Sequence, residues 1–243
     1  MSSGEGAQPD LLVNAVQSSD TPRVPASVFV IYVVAFFVVW SLRAIVFIRV
    51  DESIESPLWK NVYSNAVKFI VWVVPVFITL GVSRLRPFTY LKLITPLKTR
   101  GLMIGALVTL VWFSLVVLGE ALISGRNAGA MLAAKSSDWP SILAGVFISP
   151  ISEEILFRGF ILNRLSESLR FWRSNLIAAL LFMLAHWPYW LSKNGFSFSV
   201  IKDSVNVFLL GCLFGWLMKK TNSLWPAIGA HIANNFVSGL IHA

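Results

Sequence analysis

Three short polar patterns interrupt otherwise apolar stretches of this chain: Glu153-Glu154-Ile155-Leu156-Phe157-Arg158, Phe182-Met183-Leu184-Ala185-His186 and His231-Ile232-Ala233-Asn234-Asn235. They hold two of its three histidines and two adjacent glutamates. Ionisable residues within membrane-spanning helices are costly and mark functional sites by default. On a helix, residues four apart share a face and neighbours diverge by about 100°. Glu154 and Arg158 can therefore pair, which leaves Glu153 free to meet other helices. His186 shares a face with Phe182 and is followed by Trp187-Pro188. His231 and Asn235 aim two hydrogen-bonding groups at one point, with Asn234 turned away. Each pattern alone has a bland reading: a structural Glu–Arg bridge beside a neutral glutamate, a hydrogen-bonded packing histidine, an interhelical His–Asn clamp.

Together they compose hydrolytic chemistry. A glutamate near a histidine can position and deprotonate water. A second histidine and a carboxamide can donate to the oxyanion that forms on a peptide carbonyl. Glu153, His186 and His231 also compose a zinc set with a position left for water, so the cofactor stands open between none and one Zn2+. The soluble metalloprotease pattern His-Glu-x-x-His is absent. So are phosphate-binding loops and zinc-finger spacings.

These residues need helices to hold them. Of 243 residues, 56% are hydrophobic and only 13% charged, with mean hydropathy +0.71. Soluble domains carry about 25% charged residues. The fold class is all-α: one polytopic transmembrane bundle. A bilayer takes about 20 apolar residues per helix, which predicts seven spans near 26–48, 62–82, 102–123, 140–163, 173–192, 200–218 and 223–241. The last four are the more polar, as befits helices lining a site. Residues 1–25 read as a loose polar tail rather than a cleaved signal; 26–139 hold three spans, and 140–243 form a core of four. Trp59, Trp139, Trp172 and Trp225 sit at proposed ends, as interfacial anchors do. Pro75 should kink the second span. Cys212 reads as a packing residue.

Loop charge orients the chain. The N-terminal segment and the loops near 83–101, 164–172 and 219–222 carry ten Lys and Arg against five on the other side, which places the N-terminus in the cytoplasm and the C-terminus outside. The excess of 20 basic over 12 acidic residues is thereby explained without a nucleic-acid partner. At 1.5 Å per residue, the glutamates, His186 and His231 lie about 15, 20 and 12 Å from the same side. Three helices thus bring their polar groups to similar depth, and the site is expected to open toward the cytoplasm. Gly101/Gly105 and Gly211/Gly215 are spacings for close helix contact. Arg43 and Lys68 read as snorkelling or carboxylate-paired cations. Glu120 sits near a span end, and Asp203 and Asn206 read as structural.

Glu-Glu-x-x-x-Arg, Phe-x-x-x-His and His-x-x-x-Asn, in this order on successive membrane helices, resemble the CAAX protease and bacteriocin-processing (CPBP, or Abi) family over residues 140–241. The resemblance implies an intramembrane endopeptidase. Glu153 would activate water with His186, His231 and Asn235 would hold the oxyanion, and Glu154 and Arg158 would support the site. The partner implied is a membrane-associated protein or peptide; oligomeric state is not encoded. Short loops and the lack of an evident retention or sorting signal favour a bacterial inner membrane. The alternative is a non-catalytic immunity or scaffold protein that keeps the fold. A proton-relay transporter would call for an inverted repeat or broken helix pairs, and neither is visible.

Overall fold

The computed structural model describes residues 23–96, 98–124 and 139–242. The expected tail, apart from residues 23–25, lies outside them. Regular structure among the described residues is entirely helical. Four helical stretches, Ala26–Ile45, Pro57–Val82, Thr99–Gly119 and Phe198–Thr221, are long and apolar enough to cross a membrane. The other three expected spans are also helical but are shorter or interrupted by the site's own polar residues.

Helix α1 (Ala26–Ile45) follows Pro25 and turns into α2 (Ile48–Glu52). The turn is closed by a buried Arg43–Asp51 pair at 2.5 Å. Helices α3 (Pro57–Trp72) and α4 (Val74–Val82) are one rod stepped at Val73. The step sits where Pro75 has no N–H to offer the Val71 carbonyl, as its sequence position predicted. A short α5 (Pro87–Tyr90) precedes α6 (Lys98–Ser124).

Helix α7 (Trp139–Glu154) runs directly into a π-helical segment, Ile155–Leu162, and then α8 (Asn163–Ser166). All eight residues of the π segment are buried. A π stretch of this length is rare, and π bulges concentrate at functional sites. The fifth expected span is not one helix: α9 (Phe171–Leu184) stops at a turn through Ala185 and His186, and α10 (Trp187–Asn194) restarts after it. Pro188 explains the break, because it cannot donate to the Leu184 carbonyl four residues back. Helices α11 (Phe198–Thr221) and α12 (Trp225–His242) complete the bundle.

The described connections lie at two ends. At one end the 83–96 loop meets the α11–α12 turn and α8. There Leu224 N–H donates to the Lys92 carbonyl at 3.1 Å, Trp225 Nε1 to Leu93 at 3.0 Å and Asn163 Nδ2 to Tyr90 at 2.8 Å. Burial and a hydrogen bond to Glu167 push the Tyr90 phenol above its usual range. Burial, with Lys219 nearby, pulls the Lys92 ammonium below its own. The opposite end carries the α1–α3 connection and the α9–α10 turn, joined by Trp40 Nε1 donating to the Ala185 carbonyl at 2.8 Å.

Two close crossings set the helix positions. A Cβ on Gly105 would lie 1.9 Å from the Pro226 carbonyl oxygen, and one on Gly101 would press on Pro226 and Trp225, so α6 and α12 touch backbone to backbone. On α11, a Cβ on Gly215 would lie 1.9 Å from Asn175 Oδ1 of α9, and Gly211 meets Ala179. Both glycine pairs thus do what their spacing suggested. Inside, Trp72 takes Phe36, Trp40 and Phe157 edge-on. The outward faces of α1 (Val30, Ile31, Val34, Val38) are exposed, as a lipid-facing surface requires.

Gly105→Leu should force α6 from α12 and cost about 1–3 kcal/mol or more, as overpacking does. Gly119→Leu, with nothing within 4 Å of its added Cβ, should leave thermal unfolding in detergent nearly unchanged. Equal Tm losses for the two would refute the crossing.

Candidate active site

Glu153 and Glu154 are the last residues of α7 before the π segment. Glu153 is 4% exposed, Glu154 0% and Arg158 1%, so any charge here needs a partner within the protein. Glu154 Oε1 accepts from Arg158 Nη1 at 2.9 Å, the pairing expected from their spacing. The same oxygen meets His231 Nδ1 at 2.8 Å. Arg158 and His231 share a pair of aromatic rings. The guanidinium lies 4.2 Å from the Phe182 ring centre and 5.2 Å from that of Phe214. His231 stacks on Phe214 and meets Phe182 edge-on. One buried carboxylate therefore ties α7 to α12, while rings from α9 and α11 wall it in.

Glu153 points the other way, as its neighbour's pairing demands. Its Oε1 takes an ion pair from Lys68 of α3 and a hydrogen bond from Ser149 Oγ at 2.9 Å. Its Oε2 is buried without a hydrogen-bond partner. That oxygen lies 3.6 Å from His231 Nε2 and 3.9 Å from His186 Nε2. His186 sits at the α9–α10 turn rather than within a continuous helix. Its Nδ1 is 2.8 Å from the Phe182 carbonyl, an oxygen that can only accept, so Nδ1 carries the proton and Nε2 presents a lone pair to Glu153. The Glu154 oxygen facing His231 Nδ1 already accepts from Arg158, so that nitrogen too holds a proton toward its acceptor.

The structure thus brings Glu153, Glu154, Arg158, His186 and His231 into one cluster. Asn235, one turn beyond His231, is half-buried, and its Oδ1 accepts from Asn234 Nδ2 at 3.4 Å. Lys68 and Ser149 are site neighbours that the motifs did not single out. The available signal was the stripe Asn61, Ser64, Asn65, Lys68 at helical spacing on α3. With Ser149, His186 and the Arg43–Asp51 pair, this stripe lines a cavity of about 280 Å³. The cavity's walls come from the end carrying the α1–α3 connection and α10, opposite the basic 83–96 loop. An opening on the same side as that loop, as the sequence suggested, is therefore not what the cavity shows.

A metal fits this donor set poorly. Among the described residues, no group of three or more His, Cys, Asp or Glu side chains is arranged to hold one. The Lys68 ammonium already occupies Glu153, and its positive charge opposes a dication at the same carboxylate.

Residues 135–237 match the family described as type II CAAX prenyl endopeptidase Rce1-like, in agreement with the motif resemblance. No curated protein and no solved structure matches the chain.

Removing Arg158 would leave the Glu154 carboxylate without its cation, a change that costs about 3–5 kcal/mol at buried pairs. Arg158→Leu should fall in that range by chemical denaturation, and adding Glu154→Gln should recover part of the loss. A double variant no more stable than the single one would show that the pair is not what holds this corner.

Proposed function

We propose, taking as premise the match of residues 135–237 to the Rce1-like CAAX prenyl endopeptidases, that this chain is an intramembrane endopeptidase. Its substrate is a peptide bond in a membrane-associated protein or peptide. The observation that carries this is Glu153 Oε2, a buried carboxylate oxygen with no partner, facing two imidazole Nε2 atoms within 4 Å. Water bound there donates one proton toward Glu153 and the other toward His186 Nε2, which leaves an oxygen lone pair aimed at the substrate carbonyl.

In the reaction, the water oxygen bonds to the carbonyl carbon and its proton passes to Glu153 Oε2. The carbonyl electrons move onto oxygen. The oxyanion takes hydrogen bonds from Asn235 and His231. With Nδ1–H committed to Glu154, His231 can serve this role through Nε2 only as the imidazolium. Collapse breaks the C–N bond, and the proton held by Glu153 goes to the leaving amine, with His186 assisting. The products are a new carboxyl terminus and a free amine. Glu154 and Arg158 hold His231 in register. Residues 140–243 form the catalytic core; 26–139 supply α3 and the cavity wall, behind the polar tail 1–25.

The chain further reads as seven spans with the N-terminus inside and the C-terminus outside, in a bacterial inner membrane. The basic loops at 83–96, 164–170 and 219–222 sit at one end. The polar cavity then opens at the outer face, and substrate and water reach Glu153 from there.

Glu153→Gln should lower cleavage of quenched-fluorescent peptides, a prenylcysteine peptide among them, by about 10²–10⁴-fold, the usual worth of a general base. A chelator should leave wild type active. Equal cleavage by the variant would exclude Glu153 as base, and loss with chelator reversed by zinc would place a metal there. For orientation, in a Cys212→Ala background, Glu55→Cys on intact cells should react with a membrane-impermeant maleimide. Lys220→Cys should react only after permeabilisation; the reverse pattern would turn the cavity toward the cytoplasm.

A further inference from the structure

Lys68 lies 11 residues into α3, about 16 Å along the helix from Pro57. An unpaired ammonium at that depth is expensive. It is nevertheless only 15% exposed along its side chain, and everything around it is arranged for a cation. Trp72 presents its ring face with the centroid 4.7 Å from Nζ, and Trp40 stands at 5.9 Å. Such faces replace part of the lost hydration. Lys68 Nζ donates to Ser149 Oγ at 2.6 Å and to Glu153 Oε1, and Ser149 in turn donates to that same Oε1.

The result is a closed triangle on one carboxylate oxygen. Both donors fall on Oε1 and none on Oε2. The other polar groups facing Glu153 are His186 from the α9–α10 turn and His231 from α12, both on the Oε2 side. Arg158 is engaged by Glu154. Lys68 is the cation that completes the balance, so that two carboxylates and two permanent cations cancel within the cluster.

We propose that Lys68, with Ser149, is the positioning residue for Glu153. It supplies the charge that lets the carboxylate stay ionised in a low-dielectric interior. It also occupies Oε1, so that Oε2 alone is presented to water between the two imidazoles. This rests on Glu153 being the base. It adds a functional residue from α3, outside the three motifs and outside the matched segment. Lys68 does not touch the reacting atoms; it acts through the carboxylate.

The test uses full-length protein in detergent in a Cys212→Ala background, since Cys212 is the chain's one native thiol. Lys68→Met keeps the side chain's bulk without its charge. Its kcat on the prenylcysteine or other cleaved peptide should fall about 100-fold, the scale of a misplaced catalytic group, with KM within about threefold. Lys68→Cys should behave likewise. Treating the folded Lys68→Cys protein with 2-bromoethylamine rebuilds an ammonium and should restore most of kcat, whereas iodoacetamide, which adds a neutral amide, should not.

Infrared spectroscopy at neutral pH reads the same effect without any substrate. Lys68→Met should show a protonated-carboxyl C=O band that is absent from wild type and vanishes when Glu153→Gln is added. No such band in Lys68→Met, or a kcat within threefold of wild type while Glu153→Gln is inactive, would overturn the positioning role and leave the base intact. A fully active Glu153→Gln would instead sink the function on which the role depends, whatever the infrared spectrum shows.

Discussion

Two adjacent carboxylates buried inside a membrane-spanning bundle are the constraint around which the structure is organised. Neighbouring residues on a helix diverge by about 100°, so a single cation cannot serve both. Glu154 takes Arg158 from its own chain segment, four residues on. Glu153, turned away, must draw its cation from another helix, and α3 brings Lys68. The second pairing ties the N-terminal half of the bundle to the segment that carries the motifs. It also explains why α3 is not uniformly apolar. The stripe from Asn61 to Lys68 faces inward because a lysine headed for Glu153 cannot face lipid.

The remaining architecture fixes distances around that pair. His231 can reach Glu154 because α12 is drawn against α6 where Gly105 lets backbone meet Pro226. Arg158 and His231 both pack against the rings of Phe182 and Phe214. The turn at Ala185–His186 frees His186 from a continuous helix, and its Nδ1 proton is fixed by the Phe182 carbonyl. Each imidazole is thus locked through Nδ1, by a carboxylate in one case and a carbonyl in the other. Both expose Nε2 to the same carboxylate oxygen. Second contacts of this kind decide which atoms are free to do chemistry, much as hydrogen bonds on the far nitrogen orient histidine in other sites.

Local features of this arrangement were legible in the sequence. The Glu154–Arg158 pair is an i,i+4 contact, Pro75 acts through the backbone of its own helix, and the glycine pairs announce close contact by their spacing alone. The locations of the four helical stretches long enough to cross a membrane follow from apolar run lengths. Features that depend on which helix lies beside which were not legible. Lys68 and Glu153 are separated by 85 positions, and nothing local distinguishes a lysine bound for a carboxylate from one that snorkels. Ser149 looked like any small residue on α7. The π segment has no sequence signature here, since Ile155–Leu162 reads as ordinary apolar helix. The interruption before Trp187-Pro188 was visible in principle: a proline at that position deprives Leu184 of its donor, and length alone had made the span look continuous.

A buried hydrolytic site must also be supplied with water, and the same polar stripe meets that need. Asn61, Ser64 and Asn65 continue from Lys68 toward the start of α3, with the Arg43–Asp51 pair on the facing wall. Arg43 Nε and Asp51 Oδ1 are left without protein partners, and buried polar atoms of this kind are normally satisfied by water. The cavity therefore has the lining of a wet passage rather than of a lipid groove, and it ends at Lys68, Ser149 and His186. Charge pairing and water supply are consequently parts of one feature. The helix that contributes the cation for Glu153 also carries the polar surface along which the nucleophile can arrive. An apolar α3 would leave Glu153 both without its cation and without a wet route to it.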